Sequence, residues 1–313
     1  MITFNPDGSV NLNTGVVEMG SGGQTNLALI LAERLSIDPD QVHVVMPVDT
    51  QTAPEHWKTV ASLTEHMAGH AVMRAADDLI GQLCQNGAQA LGCGTEEIEV
   101  SNGRVFSKKN PDKFIAFKDI VQGYKSTTGE SIGEPALGRG GFMLKGLSQL
   151  NPQTGQGKTG PAWTLGAQVM EVEADLKTFS YRIISASTVM DVGKAINPEL
   201  MRAVIAGGMS MGVSLASREA FSYNERGIPQ APNLRTYKLL HIGQDPDCRV
   251  DFVETPETTS PYGVRSYAEH GIIGIPAALG NALSAAFGKD FLFLPLTPER
   301  IWKTVKEDVN DPI

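Results

Sequence analysis

Segments in which apolar and polar residues alternate are interleaved, along the whole chain, with segments whose apolar residues have helical spacing. Residues 2–17 alternate around Asp7-Gly8, and a second alternating pair turns at Asn102-Gly103. Both pairs predict β-hairpins, because Asp-Gly and Asn-Gly favour the tight turn between antiparallel strands. Hairpins do not build a purely parallel sheet, so the sequence predicts an α+β fold of mixed sheets with helices packed on one face.

The same patterns give approximate bounds for the other elements. Strands are predicted at 42–46, 163–174, 179–189 and 250–254. Helices are predicted at 27–35, 65–87, 117–124, 199–221 and 272–287, with a short amphipathic helix after Thr297-Pro298. The polar, turn-rich run 148–161 predicts a linker, which divides the chain into two α+β subdomains, 1–155 and 156–313.

Composition excludes several classes of protein. The net charge of −9 argues against a nucleic-acid-binding surface. No apolar run approaches the roughly 20 residues of a membrane helix, and residues 1–20 lack the pattern of a signal peptide. Cys84, Cys93 and Cys248 form no CxxC pair. This excludes an iron–sulfur or zinc-ribbon motif within the chain and favours a reducing, cytoplasmic location.

A glycine-rich turn joins a predicted strand to the first predicted helix. It contains the candidate binding residues Gly20, Ser21, Gly22, Gly23 and Thr25. Backbone N–H groups at a helix start form a favourable site for an anion such as phosphate. The turn lacks the lysine of a P-loop and does not match GxGxxG, so a tight turn that simply requires glycine is an equally good interpretation.

A second helix start is rich in hydroxyl groups. It contains the candidate residues Thr59, Val60, Ala61, Ser62 and Thr64. Ser62 or Thr64 is predicted to cap the helix. Together, the two helix starts could hold an elongated cofactor with several negative charges.

Two histidines, His66 and His70, lie four residues apart on the second predicted helix. This spacing could place them on one metal ion, but a third ligand and the HExxH order are missing. We therefore predict no metal site formed by protein ligands.

One acidic residue, Glu269, lies in a run of small residues before the apolar segment 272–287. A carboxylate at a loop-to-helix junction can act as a general base if burial raises its pKa toward neutrality. A helix-capping glutamate is the simpler interpretation of this stretch alone. The glycines Gly207, Gly208 and Gly212 lie within the predicted helix 199–221 and indicate a close approach of another helix or a ligand.

The order of several short motifs identifies a resemblance. They are Glu18-Met19-Gly20-x-Gly22-x-x-Thr25; Asp49-Thr50; Thr59-x-Ala61-Ser62; Met190-Asp191-Val192-Gly193 with Ile196-Asn197-Pro198; Gly207-Gly208 with Gly212; Gly263-x-Arg265-x-x-x-Glu269; and Leu294-Pro295-Leu296-Thr297-Pro298-Glu299-Arg300. Over nearly its whole length the chain resembles the C-terminal half of the molybdopterin (molybdenum-cofactor)-binding subunit of the xanthine dehydrogenase/aldehyde oxidase family.

The resemblance implies the α+β architecture of that family and a molybdenum–molybdopterin cofactor, which in bacteria is often the cytosine dinucleotide form. The residues of the two helix starts, with Arg265 and Ala268, would bind it, and Glu269 would be the catalytic base. Iron–sulfur clusters and FAD would lie on partner chains. The N-terminal part of the molybdenum subunit would be a separate chain or domain, and the start Met1-Ile2-Thr3-Phe4 slightly favours a separate chain.

By resemblance, the chain would be part of a molybdenum hydroxylase that hydroxylates an N-heteroaromatic or aldehyde carbon with oxygen from water. It departs from the family's pattern at Ser21 and Val204 (usually glutamine), Arg265 (usually lysine), and Ser266 and Ala268 (usually glycine). These departures motivate an alternative, a degenerate non-catalytic assembly or cofactor-carrying module. A hydrolase or nucleotide-binding enzyme is disfavoured, since the chain lacks a nucleophile–histidine–acid set and a P-loop lysine.

Overall fold

The computed structural model describes residues 1–306, which form two compact units. The first unit contains Met1–Trp163 and Pro256–Arg265, and the second contains Thr164–Thr255 and the chain from Ser266 onward. The sequence predicted a boundary near residue 155 and did not separate Pro256–Arg265 from its neighbours. The difference arises because this short segment bonds to the long helix of the first unit, a contact between residues far apart in the chain.

Each unit mixes strands and helices, which confirms the predicted α+β class. The first unit contains β1 (Ile2–Phe4), β2 (Val10–Leu12), α1 (Gly23–Leu35), β3 (Val42–Val44), α2 (Thr64–Leu91), β4 (Ile98–Ser101), β5 (Arg104–Ser107), β6 (Asn110–Ala116), α3 (Phe117–Ile120), β7 (Tyr124–Lys125), β8 (Ser131–Ile132) and β9 (Leu137–Gly138). The second contains β10 (Gly166–Ala174), β11 (Tyr181–Asp191), α4 (Pro198–Ser217), α5 (Leu234–Tyr237), β12 (Asp247–Val253), α6 (His270–Ile273), α7 (Ile275–Phe287) and α8 (Pro298–Lys306).

In the first unit, a four-stranded sheet of order β3-β2-β1-β9 packs with α1 and α2. Its β1–β2 pair is the predicted N-terminal hairpin, and β4–β5 is the hairpin predicted at Asn102-Gly103. Apolar side chains recur at helical spacing on the inner face of α1, where Leu27, Ile30 and Leu31 are buried.

In the second unit, a three-stranded sheet of order β10-β11-β12 packs against α4 and α7. Strands β10 and β11 form the predicted hairpin, and β12 lies parallel to β11. Asn197 caps α4 by accepting a bond from the Leu200 N–H at 3.1 Å, and Pro198 begins the helix, as its fixed φ favours.

Two helical stretches of the described chain, Pro198–Ser217 and His270–Phe287, are long and apolar enough to suit a membrane span by length and composition alone. The sequence analysis had expected none. The core helices of water-soluble domains pass the same test. Ile205, Met209 and Leu279 from these helices are fully buried in the core of the second unit. This packing accounts for the apolar composition of the two helical stretches.

Candidate functional site

The glycine-rich turn before α1 is built around the side chain of Glu18. Its Oε1 accepts hydrogen bonds from the N–H groups of Gly20 at 2.8 Å and Gly22 at 2.9 Å, and its Oε2 accepts one from Gln24 at 3.3 Å. Burial acts to raise the pKa of Glu18, but these backbone donors outweigh it and hold the pKa below its ordinary value. Two of the N–H groups predicted to bind phosphate, those of Gly20 and Gly22, are therefore bonded to a carboxylate of the same chain.

The conformation of this turn requires glycine at two positions. Gly20 has φ +104° and Gly22 has φ +73°, both in the region that side-chain-bearing residues rarely adopt. A Cβ on Gly20 would have no heavy atom of the described chain within 4 Å, so the turn borders open space. Ser21 is partly exposed and Thr25 is exposed, so their hydroxyl groups are accessible at the start of α1.

The second helix start has strained backbone. Ala61 and Ser62 have φ +53° and φ +51°, a left-handed conformation that costs non-glycine residues of order 1–3 kcal/mol each. The predicted caps are wrong: Leu63 occupies the N-cap position, and no side chain of the described residues caps the helix. The left-handed pair leads the chain into α2 at a position where neither Ser62 nor Thr64 can serve as the cap.

The first unit brings the two helix starts together. A Cβ on Gly23 would lie 3.5 Å from the Thr64 methyl group, so the first turns of α1 and α2 are in contact. The side chain of Asn26 donates to Glu65 Oε1 at 3.0 Å. Burial raises the pKa of Glu65, and the bond from Asn26 offsets this only in part.

The sequence analysis missed Glu65. An acidic residue in the first turn of a helix usually complements the helix dipole at the surface, so its sequence context gives no sign of burial. Only the packing of α1 against α2 shows that this carboxyl group joins the two candidate binding segments.

The Glu65→Gln variant should be more stable than the wild-type chain, and this difference in the free energy of unfolding should grow as pH rises. The folded-state pKa of Glu65 is raised, so the wild-type chain loses stability as pH rises above the ordinary glutamate value of about 4.3. Glutamine keeps the acceptor for Asn26 and does not ionise. In urea unfolding at pH 4, 6 and 8, we expect the variant and the wild-type chain to be equally stable at pH 4, and the variant to be increasingly more stable at pH 6 and 8.

Glu33→Gln, at an exposed position of α1, is the matched control and should show no such trend. If the stability difference between Glu65→Gln and wild type did not change with pH, the assignment would be contradicted.

Three buried polar atoms near these helix starts lack hydrogen-bond partners within residues 1–306. They are Gln24 Oε1, His56 Nε2 and Thr59 Oγ1. An unpaired buried polar group costs about 1–3 kcal/mol, which a ligand that bonds to it would recover. Thr59 is one of the predicted binding residues, whereas Gln24 and His56 were not predicted. Hydroxyl, amide and imidazole groups at two adjoining helix starts fit a polar organic ligand that has both donors and acceptors.

The segment Pro256–Arg265 is fixed to α2 within the first unit. His66 Nδ1 lies 2.8 Å from Ser260 Oγ, and His70 Nε2 lies 2.9 Å from the Thr259 carbonyl oxygen. The two imidazole rings are in edge contact, with centroids 5.2 Å apart. These histidines therefore attach a distant segment to α2.

Arg265, a predicted cofactor residue, is the last residue of this segment. Its guanidinium group lies 3.4 Å from Glu257 and donates to the Trp163 carbonyl oxygen at 2.7 Å. Both members of the ion pair are largely buried. The structure thus shows Arg265 in contacts that hold the segment in the first unit.

Glu269 and Ala268 belong to the second unit. Glu269 occupies the N-cap position of α6, and its side chain is exposed in the described chain, whereas the general-base interpretation of the sequence was conditional on burial. The neighbouring His270 has a pKa lowered by burial, with a smaller opposing effect from the Glu269 charge. Within residues 1–306, no group of three or more histidine, cysteine, aspartate or glutamate side chains is arranged to hold a metal ion.

Comparison with known proteins decides the family. A family profile described as "Molybdopterin cofactor-binding domain" matches residues 1–246. The chain belongs to this family. The resemblance predicted from the ordered motifs is thereby confirmed, although the match ends before the loop that carries Glu269.

This molybdopterin cofactor-binding domain is similar to longer proteins. It is 28% identical over 304 residues to the putative xanthine dehydrogenase molybdenum-binding subunit of Escherichia coli, covering 96% of this chain and 38% of that protein. It is 26% identical to the nicotine 6-hydroxylase large subunit of Paenarthrobacter nicotinovorans, covering 97% of this chain and 36% of that one. The chain therefore spans little more than a third of the length of these relatives.

A solved structure confirms the fold. Quinoline 2-oxidoreductase from Pseudomonas putida 86 matches 98% of this chain and 38% of its own, with a TM-score of 0.81 and 24% identity. At that identity the likeness establishes the α+β architecture alone.

Proposed function

We propose that this chain is the cofactor-holding part of a molybdenum hydroxylase, an oxidoreductase that works with partner subunits. The observation that carries the proposal is the contact between the two helix starts in a chain of the molybdopterin cofactor-binding family. The segment that leads into α2 also contains the buried Thr59 hydroxyl, which has no hydrogen-bond partner within residues 1–306. The names of the relatives specify xanthine, nicotine and quinoline, which are all N-heteroaromatic compounds. An N-heteroaromatic carbon is accordingly the preferred substrate class, with an aldehyde carbon as the alternative.

The proposed reaction replaces a hydrogen on the substrate carbon with a hydroxyl group whose oxygen comes from water. It releases two protons and two electrons. Iron–sulfur clusters and FAD on partner chains would accept the electrons, and an N-terminal molybdenum-subunit chain or domain would complete the site. The names of the relatives, a molybdenum-binding subunit and a large subunit, support partner subunits in general. We expect the complex to be cytoplasmic.

The residues of the two helix starts would hold the cofactor, which supplies two-electron redox chemistry when bound. Gly20, Gly22 and Gly23 would shape the turn, because Glu18 already bonds three of its backbone N–H groups. The hydroxyl groups of this set would donate to phosphate and pterin oxygens; they belong to Ser21, Thr25, Thr59, Ser62 and Thr64. Val60 and Ala61 would contribute backbone contacts, and a cytosine nucleotide would extend the same set of contacts.

Glu269 would accept, at a carboxylate oxygen, the proton released from the water-derived nucleophile. Its exposure in the described chain leaves the carboxylate accessible to a substrate. Ala268, the residue before it, would contact the cofactor through its backbone, and Arg265 would act indirectly by holding its segment.

Thr59→Val should weaken cofactor binding without destabilising the chain. Valine has the shape of threonine but removes the buried hydroxyl that lacks a partner within residues 1–306. Loss of one hydrogen bond of about 1–1.5 kcal/mol corresponds to roughly tenfold weaker binding. We expect lower molybdenum and pterin content after dialysis of the assembled complex, with an equal or higher free energy of unfolding for the cofactor-free chain.

Thr52→Val, at an exposed position in the preceding loop, is the control and should change neither quantity. Unchanged cofactor content in Thr59→Val together with lower stability would show that Thr59 has only a structural role.

The non-catalytic alternative is supported by the departures at Ser21 and Ala268. Metal analysis of the native complex distinguishes the two functions. About one molybdenum per complex supports the hydroxylase, whereas a complete complex without molybdenum supports an assembly module.

A further inference from the structure

The apolar helix that follows Glu269 is broken at Gly274. Helix α6 (His270–Ile273) ends there, and α7 begins at Ile275. Pro276 lies in the first turn of α7 and has no N–H group to continue the hydrogen-bond ladder. Backbone groups around such a break need other partners if they are to be buried.

A side chain from the sheet supplies those partners. Gln168, on β10, donates from Nε2 to the Gly271 carbonyl oxygen at 2.9 Å. Its Oε1 accepts from the Gly274 N–H at 2.5 Å. The amide therefore bridges the two sides of the break.

The orientation of this amide is fixed by a third bond. Nε2 of Gln168 also donates to Thr188 Oγ1 at 3.0 Å. Thr188 is buried and is the direct cross-strand neighbour of Gln168 in the β10–β11 pair. Both donor positions and the acceptor are thus occupied, and a flipped amide would lose the bonds to the Gly271 carbonyl oxygen and the Gly274 N–H.

Helix α6 also packs closely against the backbone of α4. A Cβ on Gly271 would lie 2.3 Å from the Ile205 carbonyl oxygen, and a Cβ on Gly208 would lie 2.9 Å from the Gly271 Cα. The turn that begins at Glu269 is consequently confined between a side-chain amide and a neighbouring helix.

We propose that Gln168 is a positioning residue for Glu269. Through its bonds to Gly271 and Gly274 it fixes the helix turn whose N-cap is Glu269, and so fixes the direction from which the carboxylate approaches the reacting atoms. This inference rests on the proposed role of Glu269 as the base. Misplacement of a catalytic group by about 1 Å can cost on the order of 10²-fold in rate, so a contact that does not touch the substrate can still control turnover.

The test uses Gln168→Met in the complex assembled with its partner chains. Methionine has nearly the same length but makes none of the three bonds. We expect kcat per bound molybdenum to fall about tenfold or more with KM changed less than about twofold, since the loss is one of positioning. Independently of activity, hydrogen exchange at the Gly274 amide should become at least about tenfold faster.

Two further variants keep the test decisive if Gln168→Met assembles poorly. Gln168→Glu keeps the acceptor for the Gly274 N–H and loses the donor to Gly271, so its kcat per molybdenum should lie between wild type and methionine. Thr188→Val removes only the third bond and should stay within about twofold of wild type.

The outcomes distinguish the positioning role of Gln168 from the role of Glu269 as the base. Wild-type kcat per molybdenum in Gln168→Met and Gln168→Glu, with faster exchange at Gly274, would show a purely structural role and overturn the positioning claim. Wild-type turnover of Glu269→Gln would overturn the proposed base, whatever the Gln168 variants do. An inactive Glu269→Gln with fully active Gln168 variants would overturn the positioning claim alone.

Discussion

Glu269→Gln should lower kcat of the complex assembled with its partners by about 10²–10⁴-fold, the range that general-base catalysis supplies. Glutamine preserves the size of the side chain and one acceptor oxygen but cannot accept a proton at neutral pH. Because Glu269 is exposed in the described chain and lies at the N-cap position of α6, the substitution should not disturb the core. The measurement is steady-state turnover per bound molybdenum.

The matched control is Glu225→Gln, an exposed glutamate in the same unit, which should leave kcat unchanged. Molybdenum content should be the same in both variants and in wild type. A Glu269→Gln complex that turned over at the wild-type rate would exclude Glu269 as the base, and a complex that lost its molybdenum would assign Glu269 to cofactor retention.

Gly208→Ala and Gly207→Ala should change stability in opposite directions. A Cβ on Gly208 would lie 2.9 Å from the Gly271 Cα and 3.2 Å from the Ile272 nitrogen, which are backbone atoms that cannot move aside separately. Overpacking of this kind costs about 1–3 kcal/mol. A Cβ on Gly207 would meet no heavy atom of the described chain within 4 Å outside its own helix. Alanine there should raise the free energy of unfolding by about 1 kcal/mol through helix propensity.

Urea unfolding of the two single variants tests this pair directly. Both substitutions lie in α4 and change one residue to alanine, so general effects on the helix cancel in the comparison. Equal changes in the free energy of unfolding of the two variants would mean that α4 and α6 do not approach as closely as the structure shows. The close approach matters for function because Gly271 is two residues from Glu269.

The glycines of α4 show how far sequence reasoning can reach. The sequence located Gly207, Gly208 and Gly212 in one helix and left open whether a helix or a ligand packs there. The structure shows helix packing: a Cβ on Gly212 would lie 2.8 Å from Ile275 Cβ, and Gly208 faces Gly271. Glycines in a sequence indicate where another segment can approach the backbone closely. Which segment packs there depends on residues more than sixty positions away.

The contacts that hold distant segments of the chain together were not predictable from local pattern. Residues 272–287 are largely apolar, so one helix was predicted where α6 and α7 are separated at Gly274. The bridging amide belongs to Gln168, on a strand about a hundred residues earlier. Likewise, His66 and His70 gave a metal-like spacing, and only the tertiary structure shows them bonded to Ser260 and Thr259.

The sequence by itself determined the α+β class, the hairpins, most helices and the family, because periodicity, turn chemistry and motif order are local properties. It also located both helix starts that are candidates for the cofactor. The tertiary structure alone decided that these starts adjoin and that Glu18 bonds N–H groups of the turn. It also decided that burial raises the pKa of Glu65 and that the Thr59 hydroxyl oxygen is buried. The physical reason is that burial and hydrogen-bond satisfaction depend on which distant segments pack together, and no single segment encodes that.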